Sequence, residues 1–464
     1  MPGGAIPINS SRGASLKARI LRAGTWALIG YAVSQAVRLG GNLVMTRLLA
    51  PEMFGVMAIA VALMVILTML SDIGLNQNIV QSRRGEDPAF LDTAWVVQIV
   101  RGFLLWLIVL ALSVVLHGAN VHGMVPSQSA YAYPGLPIVI AISSLSLIIN
   151  SFQSTSIATA YRTLDQRRLV QIELASQITG LIAMIAVGLA TRSIWALVAG
   201  VIAAASARTV LSHTWMDGHG NRWRLEPTAL REVFGFGKWI FVSSAVGVIA
   251  AQGDRLLLGG FVDARMLGLY AIAILVIGVV EAGLYRLFVT ISLPALSEVA
   301  RNDPSRLRGA YNRLRLPVDL LLLFVAGLLF AAGRPVIELL YDPRYAAAGD
   351  MLQVLALSLF AARYGIAQQV YLAVGKPQYL ALLNVVRLVS LYGLVFPLLY
   401  FSGVQAAIWG IALHGLAAVP FIYRFNARLG LTDVRGEATG LLALPLGYGC
   451  GELLHFLLAG VNAG

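Results

Sequence analysis

Three observations predict an all-α polytopic membrane protein of about 12–13 transmembrane helices in two pseudo-symmetric six-helix bundles. Apolar runs of roughly 20 residues recur along the whole 464-residue chain, each long enough to cross a hydrocarbon core ~30 Å thick. Only 12% of residues are charged and mean hydropathy is +0.78, where soluble domains carry about a quarter charged residues. Finally, Met53-Phe54-Gly55-Val56-Met57-Ala58-Ile59-Ala60 matches Met266-Leu267-Gly268-Leu269-Tyr270-Ala271-Ile272-Ala273, 213 residues on. Tyr161 before Asp165-Gln166-Arg167 similarly matches Tyr371 before Gly375-Lys376-Pro377, 210 residues on. With six spans per half both halves run the same way, so the repeat axis lies along the membrane normal and encloses a central substrate path.

The chain divides accordingly. Residues 1–24 are a cytoplasmic tail ending in Leu16-Lys17-Ala18-Arg19-Ile20-Leu21-Arg22, read either as an interfacial amphipathic turn or as solvated stop-transfer charges. No cleavable signal sequence is read there, because the first apolar run starts late and lacks a small-x-small cleavage site. The first bundle, 25–213, holds segments at 25–45, 54–76, 94–117, 136–156, 169–189 and 194–213. Ala190-Thr191-Arg192-Ser193 is so short that segments five and six form an antiparallel hairpin. Ala196, Gly200 and Ala204 give segment six a seam for close packing. Polar residues 214–236 link the halves. The second bundle, 237–425, holds segments at 237–258, 267–293, 314–332, 349–374, 378–400 and 404–423. The tail, 426–464, contains an apolar stretch at 441–459, interrupted by Gly447, Gly449 and Gly451, that is either a thirteenth span or a re-entrant piece.

Net charge is +12, and the placement of that charge decides what it means. Alternate connections are rich in arginine: Arg83 and Arg84; Arg162, Arg167 and Arg168; Arg222, Arg224 and Arg231; Arg301, Arg306, Arg308, Arg313 and Arg315; Arg424, Arg428 and Arg435. The intervening ones carry at most two each. This positive-inside pattern puts the N-terminus in the cytoplasm, argues against a nucleic-acid partner, and leaves attraction to anionic membrane lipids as a secondary effect. The single cysteine, Cys450, forms no intrachain disulfide and reads as a small apolar helix residue.

Charge inside the membrane is the functional signal. Tyr31, Gln35, Arg38 and Asn42 follow at steps of four, three and four, so they share one helical face. An arginine at mid-membrane costs a few kcal/mol unless it faces protein or a watery cavity, so this stripe points inward. Arg363 and Arg387 also lie near mid-span and join it as cavity candidates, whereas Arg101, Arg208, Arg255 and Arg286 lie near helix ends and read as snorkelling. Glu281 reads as a counter-ion or as a group that protonates during transport; Asp72 and Asp254 read as caps or local partners, or as further coupling groups. More arginine than carboxylate favours an anionic ligand, phosphate in particular, and Gln368, Gln369 and Asn384 add amides suited to sugar hydroxyls. The chain lacks G-x-x-x-x-G-K-[ST], H-E-x-x-H and G-x-S-x-G, so no cofactor, metal or catalytic site is read.

Thr46-Arg47-Leu48-Leu49-Ala50-Pro51-Glu52-Met53-Phe54-Gly55 with Ser71-Asp72-Ile73-Gly74-Leu75 resembles the polysaccharide-type flippases of the multidrug/oligosaccharidyl-lipid/polysaccharide exporter superfamily, Wzx-type translocases above all. Asp254-Arg255-Leu256-Leu257-Leu258-Gly259 and Gly375-Lys376-Pro377 extend the likeness over residues 15–425. It implies a V-shaped, alternating-access transporter of the bacterial inner membrane that moves undecaprenyl-pyrophosphate-linked oligosaccharide for exopolysaccharide, capsule or O-antigen synthesis, including lipopolysaccharide. It also implies a polymerase and export machinery as partners, and a cationic cavity, carried onto Arg38, Arg363 and Arg387, that receives the pyrophosphate. Two alternatives stand beside it: a cation-coupled small-molecule antiporter centred on carboxylates such as Glu281, and a membrane glycan polymerase or ligase. The largest outer loop, residues 118–133, contains no acid or arginine for the latter.

Overall fold

A computed structural model describes residues 16–163, 165–284 and 290–462, and every regular element in them is helical. The first half contains α1 (Leu16–Leu48), α2 (Pro51–Leu70), α3 (Leu75–Gln81), α4 (Pro88–Val121), α5 (Leu136–Ser143), α6 (Leu145–Ser151), α7 (Ser156–Thr163), α8 (Gln166–Thr191) and α9 (Trp195–Thr214). The second contains α10 (Pro227–Gly259), α11 (Ala264–Leu284), α12 (Thr290–Asn302), α13 (Leu307–Leu340), α14 (Ala347–Leu355), α15 (Leu359–Ala362), α16 (Gly365–Ala373), α17 (Pro377–Leu413), α18 (Val419–Arg428), α19 (Val434–Leu441) and α20 (Ala443–Asn462). Proline starts several helices because its missing N–H is an orphan there anyway: Pro51 opens α2, and Pro88 follows the Asp87 cap of α4, which accepts from the Ala89 N–H at 3.0 Å. α2 ends before Gly74, whose φ of 62° only glycine adopts freely.

Among the described residues nine helical stretches are long and apolar enough to cross a bilayer, and a tenth, Leu136–Ser151 with Ser156–Thr163, is bent by 61°. One of the nine, Pro377–Arg428, has 52 residues and turns at Gly403 (φ 80°), so it supplies two spans, segments eleven and twelve. α1 and α10, at 33 residues each, are long enough and less apolar, being the helices that carry Arg38 and Arg255. Three expected boundaries move. The basic stretch from Leu16 is continuous with α1 and not a separate turn; α10 begins at Pro227, so the polar linker shrinks to 215–226; and α20 is one unbroken helix. Arg286, read from the sequence as snorkelling, lies outside the described residues.

The connections sort to two ends, as the charge alternation predicts. At the basic end Arg162 Nη1 donates to the Ser82 carbonyl at 2.6 Å, Arg168 pairs with Asp217 at 2.5 Å, and Arg84 pairs with Asp87 at 2.5 Å and Glu226 at 2.6 Å. Hydrogen bonds from Arg84 hold the Asp87 and Glu226 carboxyls below the usual carboxylate range. At the opposite end the halves clasp each other. Ser129 Oγ donates to the Gly259 carbonyl at 2.9 Å, the Ala130 N–H to Val262 at 2.6 Å, and the Tyr345 hydroxyl to Leu49 at 3.0 Å.

Glycines let helices touch where lipid offers no hydrophobic drive. Gly55 of α2 and Gly268 of α11, equivalent positions of the repeat, meet each other: a Cβ on Gly55 would lie 1.9 Å from the Ala264 carbonyl oxygen, and one on Gly268 1.8 Å from that of Pro51. Likewise Gly447, expected to interrupt the last stretch, is a packing residue, its Cβ position 2.0 Å from the Phe324 carbonyl oxygen on α13. Gly447→Leu is expected to cost about 1–3 kcal/mol or more by overpacking, read as a lowered unfolding temperature in detergent. Gly449→Leu, with nothing within 4 Å, should leave it unchanged.

Candidate functional site

The predicted stripe on α1 does line a cavity. Tyr31, Gln35, Arg38 and Asn42 face a space of about 600 Å³ between the halves, walled by α1, α2, α8 and α9 on one side and by α10 and α11 on the other. Among its lining residues there is no Asp or Glu, and there are two arginines, Arg38 and Arg255. The Arg38 guanidinium has no hydrogen-bond or ion-pair partner among the described residues; only its backbone carbonyl is used, by Asn42 Nδ2 at 3.1 Å. Arg255 donates to Gln252 Oε1 and has no carboxylate within ion-pair distance among the described residues. Gln177 of α8 adds an amide, bonded to Ser34 Oγ at 2.9 Å. The remaining wall is mostly apolar: Met45, Phe54, Met57, Leu181 and Met184. Gly200 and Ala204, expected only to pack helices, do pack α9 on α8, with Gly200 O 2.8 Å from a Cβ on Gly180, and also line this space.

Several expected site residues lie elsewhere. Arg363 is not a cavity residue: it is 4% exposed inside the second bundle, in a group with Arg315 (1%), Asp319 (1%) and Glu437 (6%). Arg315 Nε lies 3.2 Å from Asp319 Oδ2 and its Nη1 3.1 Å from Glu437 Oε1; Arg363 Nη2 lies 3.7 Å from Glu437 Oε2 and donates to the Tyr364 hydroxyl at 2.8 Å. Two cations and two anions balance in charge, so the group has no net charge to offer a ligand, although Arg315 Nε, Asp319 Oδ1, Arg363 Nη1 and Glu437 Oε2 are buried without a hydrogen-bond partner among the described residues. Arg387 on α17 is half-buried and also outside the cavity lining, as are Gln368, Gln369 and Asn384. Glu281 accepts from Ser358 Oγ at 3.2 Å and has no arginine partner among the described residues, so the counter-ion role finds no partner there. Asp254 is not a cap, since α10 runs on to Gly259; it accepts from the Tyr270 hydroxyl. Asp72 does make local contacts, accepting from the Gly74 N–H at 2.9 Å and pairing with Arg101 at 3.5 Å.

This fold and cavity can be set against known proteins. The family described as polysaccharide biosynthesis protein matches residues 44–350. The chain belongs to that family. Its architecture is similar to a lipid II flippase, MurJ, in an inward closed conformation, with TM-score 0.68 at 14% identity over 90% of this chain and 91% of that one. It is similar also to an inward-facing multidrug resistance MATE family transporter of the MOP superfamily, with TM-score 0.66 at 11% identity over 86% and 94%. A third likeness, TM-score 0.52 at 14% identity over 91% and 99%, is to a MOP superfamily transporter from Pyrococcus furiosus described as having a binding pocket of reverse polarity. None of the curated proteins compared matches the sequence. The expected fold, two six-helix bundles of the MOP type in a multi-pass membrane protein, therefore stands.

In this family member the cavity can do one thing well chemically: hold a group with negative charge at its head and apolar carbon behind it. Two guanidiniums without counter-ions among the described residues, Arg38 exposed and Arg255 half-buried on the walls of an open-sided space, favour a ligand carrying phosphate oxygens, which their forked donors fit bidentately. Sequence reasoning missed Arg255, Gln177, Arg315, Asp319 and Glu437. For Gln177, Arg315 and Asp319 a signal was present as i,i+4 pairs, Glu173 with Gln177 and Arg315 with Asp319; Arg255 and Glu437 carried none, since their neighbours are set by tertiary packing.

Proposed function

We propose that this polysaccharide biosynthesis family member is a flippase, carrying an undecaprenyl-pyrophosphate-linked oligosaccharide from the cytoplasmic to the outer leaflet of the bacterial inner membrane. The observation that carries the reading is the pair Arg38 and Arg255, one from each half, facing a cavity of about 600 Å³ whose described lining has no acid. Each half thus contributes one cation, so a diphosphate between them responds when the halves rock. Tyr31, Gln35, Asn42 and Gln177 supply hydrogen bonds around it, and the methionine and leucine wall receives the first carbons of the carrier. The clasp at Gly55 and Gly268 lies at the end away from the arginine-rich connections. With those connections cytoplasmic, this is the outer gate, and the conformer is sealed to the outside. A polymerase and export machinery acting on the outer face are the partners this role requires. An antiporter of cationic compounds would place carboxylate in the cavity, and Glu281 is turned to Ser358 instead.

Arg38→Ala and Arg255→Ala are each expected to weaken binding of a pyrophosphate lipid by about 10- to 150-fold, the worth of one charged hydrogen bond. Arg38→Lys should retain part of it, since the point charge stays and the fork goes. Binding to purified protein in detergent checks this. Alanine proteins that insert normally and bind as the wild type does would remove the site.

A further inference from the structure

A second cavity, about 280 Å³, lies inside the first bundle near its basic end. It is one turn along α9 from the first: Ala204 lines the central space and Arg208 the second. Its character is different. Eleven of its sixteen lining residues have polar side chains, against six of twenty-five in the central cavity. Its two guanidiniums are already neutralised, Arg101 by Asp72 at 3.5 Å and Arg208 by Glu173 at 2.9 Å, so it offers no free cation to a phosphate.

We propose that this cavity is a sugar subsite, holding one neutral monosaccharide ring of the glycan; the inference rests on the flippase reading above. Amides and hydroxyls that donate and accept side by side suit vicinal sugar hydroxyls. Gln98 Nε2 is spent on the Ser151 and Gln153 carbonyls, at 2.8 and 3.1 Å, and Gln153 Nε2 on Asn150 Oδ1 at 2.7 Å. That leaves Gln98 Oε1, Gln153 Oε1, Asn150 Nδ2 and the whole Asn76 amide without partners among the described residues. Tyr161, 44% exposed, supplies an aromatic face for the ring's C–H side. The volume is at the lower limit of ordinary ligand pockets, which run from roughly 300 Å³, so it takes one ring and not a chain. A polar relay joins it to the phosphate cavity: Arg208 to Glu173 at 2.9 Å, Glu173 to Gln177 at 2.8 Å, Gln177 to Ser34 of α1 at 2.9 Å.

Saturation-transfer NMR on the purified full chain, with a panel of methyl glycosides as probes, tests this. Transfer to at least one glycoside is expected, weakened about fivefold by Asn150→Leu and by Asn76→Leu and unchanged by Arg38→Ala. Asn76 is exposed and without a partner among the described residues, so its substitution does not threaten folding. No transfer to any glycoside, or transfer insensitive to Asn150 and Asn76, overturns the subsite; transfer lost in Arg38→Ala instead would move the sugar to the central cavity. Because the readout is glycoside binding and not translocation, failure here leaves the flippase reading untouched.

Discussion

An Asp319→Ala protein is expected to lose about 3–5 kcal/mol of stability, the usual penalty for removing one partner of a buried ion pair. Arg315 is 1% exposed, and Asp319 and Glu437 are its only carboxylate partners within ion-pair distance among the described residues. Removing Asp319 leaves two buried positive charges facing one negative. The damage should spread, because Glu437 lies on α19 and ties the C-terminal helices to α13 and, through Arg363, to the break between α15 and α16. Arg315→Met, Asp319→Leu, Arg363→Met and Glu437→Leu together are expected to recover most of the loss, since a well-packed apolar replacement of a buried charge group is often neutral. Denaturant unfolding in detergent checks both proteins. A single Asp319→Ala variant within about 1 kcal/mol of the wild type, the scale of an exposed pair, would show that water reaches the group.

Gly55→Val should shift the protein away from the conformer described here. The new Cβ would lie 1.9 Å from the Ala264 carbonyl oxygen and 2.8 Å from the Gly268 nitrogen, and backbone atoms do not swing aside as a flexible side chain does. Overpacking of about 1–3 kcal/mol corresponds to a population change of about 5- to 150-fold. Glu52 Oε1 and Arg265 Nε stand 4.0 Å apart beside this crossing. In a Cys450→Ala background, cysteines at 52 and 265 should be joined readily by a bifunctional thiol reagent that spans the side-chain gap while Gly55 is kept, and poorly once the Gly55→Val substitution is added. Equal cross-linking in both would mean that α2 and α11 pack without needing the glycine contact.

The sequence carried the fold further than it carried the site, for a physical reason. Apolar length and charge alternation are one-dimensional quantities, and they locate spans and sort their ends, which the contacts of Arg84, Arg162 and Arg168 at one end now bear out. The stripe of Tyr31, Gln35, Arg38 and Asn42 was legible because one helix presents one face at 3.6-residue spacing. Which neighbour a face meets is a tertiary matter. Arg363 and Arg255 show this in opposite directions. Depth made Arg363 a cavity candidate, yet its carboxylate partner, Glu437, lies 74 residues on in a stretch read as tail. Arg255, placed near a helix end, read as snorkelling, but α10 presents it to the opposing half. The glycines of α20 read as interruptions because lipid-facing sequence does not reveal where a second helix will come within backbone contact.

The most direct measurement is translocation itself. Purified protein reconstituted in vesicles with an undecaprenyl-pyrophosphate-linked oligosaccharide on one leaflet should move it to the other, at a rate reduced by Arg38→Ala and by Arg255→Ala. In the host, deleting the gene should trap complete lipid-linked units on the cytoplasmic face. Unpolymerised units accumulating on the outer face, with no movement in vesicles, would contradict the account and place the chain after translocation, as a polymerase or ligase.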